Sequence, residues 1–206
     1  MRTSEQRIER FSLRERAVHW AVALAFLYAG LTGLGLWSPR LYWLATLFGG
    51  GTTVRAWHPW GGVVFAAVFA WMFVAWRRAM RLDTEDRRWL RMAHRYVKHE
   101  TEGLPEAGRF NAGQKSLFWI QAVSCLLLLL SGVVLWFPSV MPRGLRLAAV
   151  LLHPVVAVVA LAGLIVHIYM GTAAVPEALR GMVRGWVTPQ WARAHHPKWY
   201  RIIGRG

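Results

Sequence analysis

Four stretches without one charged residue constrain this chain more than anything else in it: Ala17–Pro39, Ala56–Trp76, Ser116–Pro142 and Leu147–Pro176. Each is at least 21 residues long, and about 20 apolar residues, rising about 1.5 Å each, cross the hydrocarbon core of a bilayer. A single run of this kind could be the central helix of a soluble protein. Four of them in 206 residues leave too little polar chain to wrap such a core. The expectation is an all-α integral membrane four-helix up-down bundle. It forms a single membrane domain over 1–206, with spans at about 17–37, 56–77, 114–137 and 147–174. Polar structure is then confined to a loop at 78–113 and a tail at 177–206.

The formal charge of +15 would suit a nucleic-acid binder, but its distribution argues against one. Lys and Arg number 5 before the first stretch, 2 after it, 10 after the second, 2 after the third and 6 after the fourth. Basic residues accumulate on the cytoplasmic side of spans. Both termini and the central loop are therefore expected in the cytoplasm, for a multi-pass protein of the bacterial inner membrane that binds lipid and no nucleic acid. All ten acids fall in the same inner segments. Trp20, Trp37, Trp57, Trp76, Trp119 and Trp136 sit where an interfacial belt would put them. The segment 84–99 has Trp89, Leu90, Ala93 and Val97 at helical spacing, which fits an interfacial amphipathic helix or a solvated one equally. The first stretch is longer than a signal-peptide core and follows sixteen polar residues, so cleavage is not expected. One cysteine, Cys125, supports neither an internal disulfide nor a four-cysteine cluster. It reads as a small packing residue.

The chemistry lies in the histidines. A polar side chain inside a span is expensive and marks function by default. His19, His58, His153 and His167 lie in or at the apolar stretches. His153 and His167 are fourteen residues apart, about 21 Å along a helix and within about 40° of one face. They cannot share one metal. Counted from the flanking arginines, His58 matches the depth of His153, and His19 roughly matches that of His167. Two imidazole pairs stacked across a bilayer are what two b-type haems need. Gly30, Gly33, Gly61, Gly62, Gly132 and Gly163 would let a flat ring approach, or serve ordinary helix packing. Zinc fits poorly, because two ligands per pair find no acid or thiol to complete four. Met72 falls at the depth of His167 and is a runner-up to His19, with plain packing the blander reading. His58-Pro59 and His153-Pro154 both read as first-turn dipeptides, where proline costs little; a fourth helix beginning near Leu147 would instead make Pro154 interior and kink it. The remaining histidines, His94, His99, His195 and His196, read as surface residues.

The pieces "RAVHW" (16–20), "HPWGG" (58–62), "RFNAGQKSLFW" (109–119), "LIVHIYM" (164–170) and "HHPKWY" (195–200) carry a resemblance. In order and spacing the chain resembles the gamma, cytochrome b subunit of membrane-bound respiratory formate dehydrogenase. The resemblance implies two haems b, an outer one held by His58 and His153 and an inner one held by His19 and His167. It also implies a pocket for menaquinone or ubiquinone at Asn111, Gly113 and Gln114, beside the inner ligand His167. Asn111 reads equally as the N-cap of the third helix. Partners implied are an iron–sulfur (beta) subunit and a molybdenum or tungsten pterin catalytic (alpha) subunit, in a heterotrimer that can assemble further. Electrons would pass from the iron–sulfur subunit through the haems to the quinone, and this chain would hold no formate-oxidising centre. The cytochrome b subunit of a membrane hydrogenase or related oxidoreductase is the alternative. A haem-free transporter or anchor is the alternative of another class.

Overall fold

The computed structural model describes residues 7–97, 103 and 105–204. In chain order the elements are β1 (Ile8–Glu9), α1 (Leu13–Trp37), α2 (Tyr42–Leu47), α3 (Gly51–Trp76), α4 (Thr84–Arg91), α5 (Ala93–Val97), α6 (Ala112–Trp136), α7 (Arg143–Tyr169), α8 (Ala178–Arg184), β2 (Trp186–Val187), α9 (Pro189–His195) and α10 (Pro197–Ile203). A π-helical turn, Met170–Ala174, continues α7. Four helices are long and apolar enough to cross a membrane: α1, α3, α6 and α7 with its continuation. The chain divides into two compact units: 1–16, 76–119 and 167–206 make the first, and 17–75 with 120–166 make the second.

The second unit is helical and greasy on both faces. Val22, Val54, Phe65, Phe69, Met72, Cys125, Val156 and Ala160 are buried in it. Phe26 meets Phe65 edge to face, 5.3 Å between ring centres. Gln121 Nε2 donates to the Ala160 carbonyl at 2.9 Å and ties α6 to α7. The opposite faces present Leu24, Trp71 and Leu151, each at least 68 % exposed. In water such a surface would be penalised at roughly 25 cal/mol per Å². Facing lipid it carries no such penalty, and its residues need no protein partner.

The first unit contains most of the short elements of the chain, of which α4 and α9 start on side-chain caps. β1 pairs antiparallel with β2, with Ile8 opposite Val187 and Glu9 opposite Trp186. Val187, Trp191, Ala192 and Trp199 form its core. Gly185 ends α8 at φ +87°, and a Cβ there would meet the Phe11 carbonyl at 3.1 Å, so glycine is required on both counts. Phe11, Trp76 and Phe110 pack against one another with ring centres within 6.2 Å, Phe11 stacked on Trp76 and Phe110 tilted to both. Arg10 is buried above them, its guanidinium over Trp199 and Phe110. One of its nitrogens bonds the Arg109 carbonyl and lies 3.2 Å from His196 Nε2. Burial and the neighbouring Arg109 pull the Arg10 guanidinium down to about 9, still charged at neutral pH. His196 donates through Nδ1 to the Gly108 carbonyl at 2.7 Å, which leaves Nε2 to accept from Arg10. Burial, reinforced by the Arg10 charge, pushes His196 down to about 3, so it is neutral.

Several sequence expectations are corrected here. His196 is 2 % exposed and is a core residue, whereas His94 and His195 are exposed as expected. His99 lies outside the described residues. Trp76 is buried in the aromatic stack rather than in an interfacial belt. The segment 84–99 is not one helix: it breaks at Met92 between α4 and α5, and its last two residues lie outside the described ones. Pro59 and Pro154 are both interior, because α3 starts at Gly51 and α7 at Arg143, well before the prolines. Each proline therefore removes one helix hydrogen bond just after a histidine.

Candidate haem site

The site grows from two histidines in the second unit. His58 on α3 and His153 on α7 face each other with ring centres 6.3 Å apart and ring planes at 82°. Each ring is held at Nδ1. Thr32 on α1 lies with Oγ1 2.9 Å from His58 Nδ1, and the same oxygen donates to the Tyr28 carbonyl at 2.6 Å. Ser131 on α6 lies with Oγ 2.8 Å from His153 Nδ1 and donates to the Leu127 carbonyl at 2.6 Å. A carbonyl can only accept, so each hydroxyl spends its proton there and each imidazole must be the donor to the hydroxyl. The consequence is one tautomer for both rings, with the proton on Nδ1 and the lone pair on Nε2.

Around the pair is a cavity of about 640 Å³, walled by α1, α3, α6 and α7. Its lining is apolar, with Phe65, Cys125, Leu128 and Leu161 among the wall residues, and among the described residues Arg55 is the one charged side chain on it. Gly33 and Gly132 stand against the imidazoles: an added Cβ would lie 3.1 Å from His58 Cε1 and 3.4 Å from His153 Cε1.

These residues fit a bis-imidazole porphyrin. An imidazole nitrogen sits about 1 Å from its ring centre and binds a first-row metal at about 2 Å, so two imidazoles across one ion have centres about 6 Å apart. The observed separation meets that requirement. Among the described residues no three His, Cys, Asp or Glu side chains come together as a bare metal ion would need. A porphyrin brings its own four nitrogens and asks the protein for two axial ligands only.

The other candidate residues lie elsewhere. His19, on α1 in the second unit, meets Trp20 edge to face at 5.4 Å. His167 is in the first unit, in the last turn of α7, just before the π-helical turn. Met72 is buried among the packing residues of α3. Asn111 and Gln114 form a reciprocal cap at the start of α6. The Gln114 N–H donates to Asn111 Oδ1 at 2.8 Å, and the Asn111 N–H donates to Gln114 Oε1 at 3.0 Å. Gly113 lies against it, its would-be Cβ 3.4 Å from Asn111 Oδ1. The cap uses both amide oxygens and leaves both NH2 groups outside the pair. Asn111 also lines a polar cavity of about 180 Å³ with Asp83, Asp86, Glu106, Lys115 and Lys198. There Lys115 is ion-paired to Asp86, both nearly buried.

Sequence reasoning missed Thr32 and Ser131. The signal was a hydroxyl residue directly before each of two glycines, Thr32-Gly33 and Ser131-Gly132, inside otherwise apolar runs. It also missed the Lys115–Asp86 pair, whose 29-residue separation leaves no local pattern to read.

Residues 10–185 match the family model described as prokaryotic cytochrome b561. The chain is 36 % identical over 199 residues to the formate dehydrogenase cytochrome b556(fdo) subunit of Escherichia coli strain K12, covering 95 % of this chain and 93 % of that one. It is 31 % identical over 199 residues to the nitrate-inducible formate dehydrogenase cytochrome b556(Fdn) subunit of the same organism, covering 95 % and 91 %. It is 31 % identical over 202 residues to the formate dehydrogenase cytochrome b556 subunit of Haemophilus influenzae, covering 97 % and 84 %.

Proposed function

We propose that this chain, which belongs to the prokaryotic cytochrome b561 family, is the cytochrome b subunit of a formate dehydrogenase complex and passes electrons through the membrane to a quinone. The observation that carries the reading is the pair His58 and His153, ring centres 6.3 Å apart on an apolar cavity and each ring held at Nδ1 by a hydroxyl. The curated relatives, which align along nearly the whole chain, supply the complex. Haem b is a one-electron carrier and is what the family implies. The protein's own part is an apolar wall that excludes water, on which His58 and His153 would supply nitrogens to the iron and Arg55 would supply a cation for the porphyrin's carboxylates.

The finer assignments complete this reading. The chain holds two haems, each between two histidines: the outer one by His58 and His153, the inner one by His19 and His167. The inner pairing rests on depth counted along the sequence and on the family resemblance. Quinone binds at the cytoplasmic side beside His167, with Asn111, Gly113 and Gln114 forming the pocket. An amide NH2 there can hydrogen-bond a quinone carbonyl while the amide oxygen caps α6. Electrons enter from an iron–sulfur partner, and formate is oxidised on a separate pterin subunit. Both termini lie in the cytoplasm and the chain sits in the inner membrane.

The test is the reduced-minus-oxidised visible spectrum of the purified protein, expressed with adequate haem supply, together with a haem-per-chain count. Two bis-imidazole b-type haems are expected. A preparation that holds none ends the reading, and a count of one removes the inner site.

A further inference from the structure

We propose that Thr32 and Ser131 are positioning residues that set the tautomer and donor strength of the two imidazoles at the His58–His153 site, as matched clamps on α1 and α6. The assignment rests on that site taking a haem.

The two clamps are built alike. Each is a hydroxyl residue followed by glycine, Thr32-Gly33 on α1 and Ser131-Gly132 on α6. Each faces a His-Pro dipeptide on a neighbouring helix, His58-Pro59 on α3 and His153-Pro154 on α7. The hydroxyl oxygen lies 2.9 Å from Nδ1 in one and 2.8 Å in the other, and in both it donates at 2.6 Å to the carbonyl one turn back on its own helix. The glycine that follows sits against Cε1 of the same imidazole. Thr32 is 0 % exposed and Ser131 4 %, so water does not substitute for either.

Two such constructions around one cavity go beyond ordinary packing of hydroxyls in apolar helices. A serine or threonine in a membrane helix satisfies itself by donating to its own carbonyl, and both do so here. What self-satisfaction does not require is an imidazole nitrogen on the remaining lone pair. With its proton spent, the hydroxyl can only accept, and the ring must carry its hydrogen on Nδ1. A ring in the other tautomer would present an N–H to the cavity and could not bind iron. The Nδ1–H···O bond also raises the basicity of Nε2, the usual effect of such a partner on a ligating histidine. Stronger donation favours ferric over ferrous iron, so both clamps hold the potential of this haem down.

The experiment uses the full chain, purified with its haems. Thr32→Val and Ser131→Ala each delete one acceptor while nearly keeping volume; Thr32→Ser and Ser131→Thr keep it. The readouts are haem per chain, an equilibrium redox titration and the low-spin ferric resonance spectrum. Each deletion is expected to weaken the ferric preference of one haem about tenfold, an upward shift of about 59 mV for one electron. The second haem is expected to titrate unchanged, and the conservative variants as the unmodified protein does. The double deletion is expected to lower occupancy of the shifted haem, since such partners contribute about 10- to 100-fold to metal affinity. Should Thr32→Val fail to accumulate, Ser131→Ala on α6 carries the same expectation alone. Deletions that leave both potentials and both ferric spectra unchanged in a haem-replete protein overturn this proposal and leave the haem site standing. Conservative variants that shift as far as the deletions also overturn it, since packing would then be the cause. Absence of haem from the unmodified protein overturns both this assignment and the reading beneath it.

Discussion

A methyl group added at position 33 would meet His58 Cε1 at 3.1 Å, and one at position 132 would meet His153 Cε1 at 3.4 Å. The first distance is well inside ordinary contact and the second close to it. Each glycine therefore fixes how near a helix backbone comes to an imidazole whose Nδ1 is held by the hydroxyl of the residue before it. Forcing extra volume into such a place costs about 1–3 kcal/mol and is relieved by moving the softest neighbour. Here that neighbour is a ring that the proposed function makes an iron ligand. Gly33→Ala is expected to lower haem occupancy at this site severalfold, with Gly132→Ala milder, both read as haem per chain at equal protein recovery. Equal and full occupancy in both would show that the rings tolerate displacement. At this scale the sequence was legible where chemistry is costly. A histidine in a greasy run stands out because burying it needs a reason. Thr32 and Ser131 did not stand out, because hydroxyl residues in apolar helices satisfy themselves and are common.

Three helices that begin in the first unit start on reciprocal side-chain caps. Ser12 and Glu15 cap α1, Asp83 and Asp86 cap α4, and Asn111 and Gln114 cap α6, each pair exchanging backbone N–H bonds reciprocally. This is why α1 starts at Leu13 although its uncharged run starts at Ala17. Hydropathy alone marks where a span can cross, whereas capping marks where the helix begins. Asn111 was readable both as a cap and as a quinone ligand, and the cap is what the geometry realises. The two roles separate by substitution. Serine caps a helix nearly as well as asparagine but has no amide NH2, whereas alanine does neither and costs about 1 kcal/mol of helix stability. Asn111→Ser is expected to keep thermal stability and both haems while lowering quinone turnover up to about tenfold, the worth of one hydrogen bond. Full turnover in Asn111→Ser with a loss only in Asn111→Ala would make the residue a cap and nothing more. Elements formed by contacts distant in sequence were the least legible. The strand pair joins Ile8 to Val187, and two-residue strands carry no period to detect. His196 is buried because Arg10 and Gly108 reach it from far along the chain, so its charged neighbourhood suggested a surface residue instead.

Across the whole chain the charge pattern makes a claim that no single element makes. Segments before the first span, between the second and third, and after the fourth hold 21 of the 25 Lys and Arg and all ten acids. The two remaining connections hold four basic residues, Arg40, Arg55, Arg143 and Arg146. Within the first unit much of this charge is committed locally: Arg109 pairs with Glu15, Lys115 with Asp86 and Arg201 with Glu106. Those pairs have a structural use that does not depend on sidedness. Each pair takes one cation and one anion, so the pairs leave the basic excess of these segments untouched, and it is the excess of Lys and Arg in short loops that sets orientation. The prediction is that a reporter active only in the cytoplasm works when fused after Gly206 and fails when inserted after Ser139, while a reporter active only outside the cytoplasm does the reverse. Arg55 sharpens the test, because it lines the haem cavity and so has a reason to be on the sparsely charged side. Adding lysines to the 137–142 connection should then weaken or mix the orientation, whereas replacing Arg55 by glutamine should leave orientation intact and act on the haem. Both reporters giving the opposite sidedness would mean that the paired charges of the first unit had been mistaken for a topological signal, and the quinone pocket would then have to move to the other face of the membrane with them.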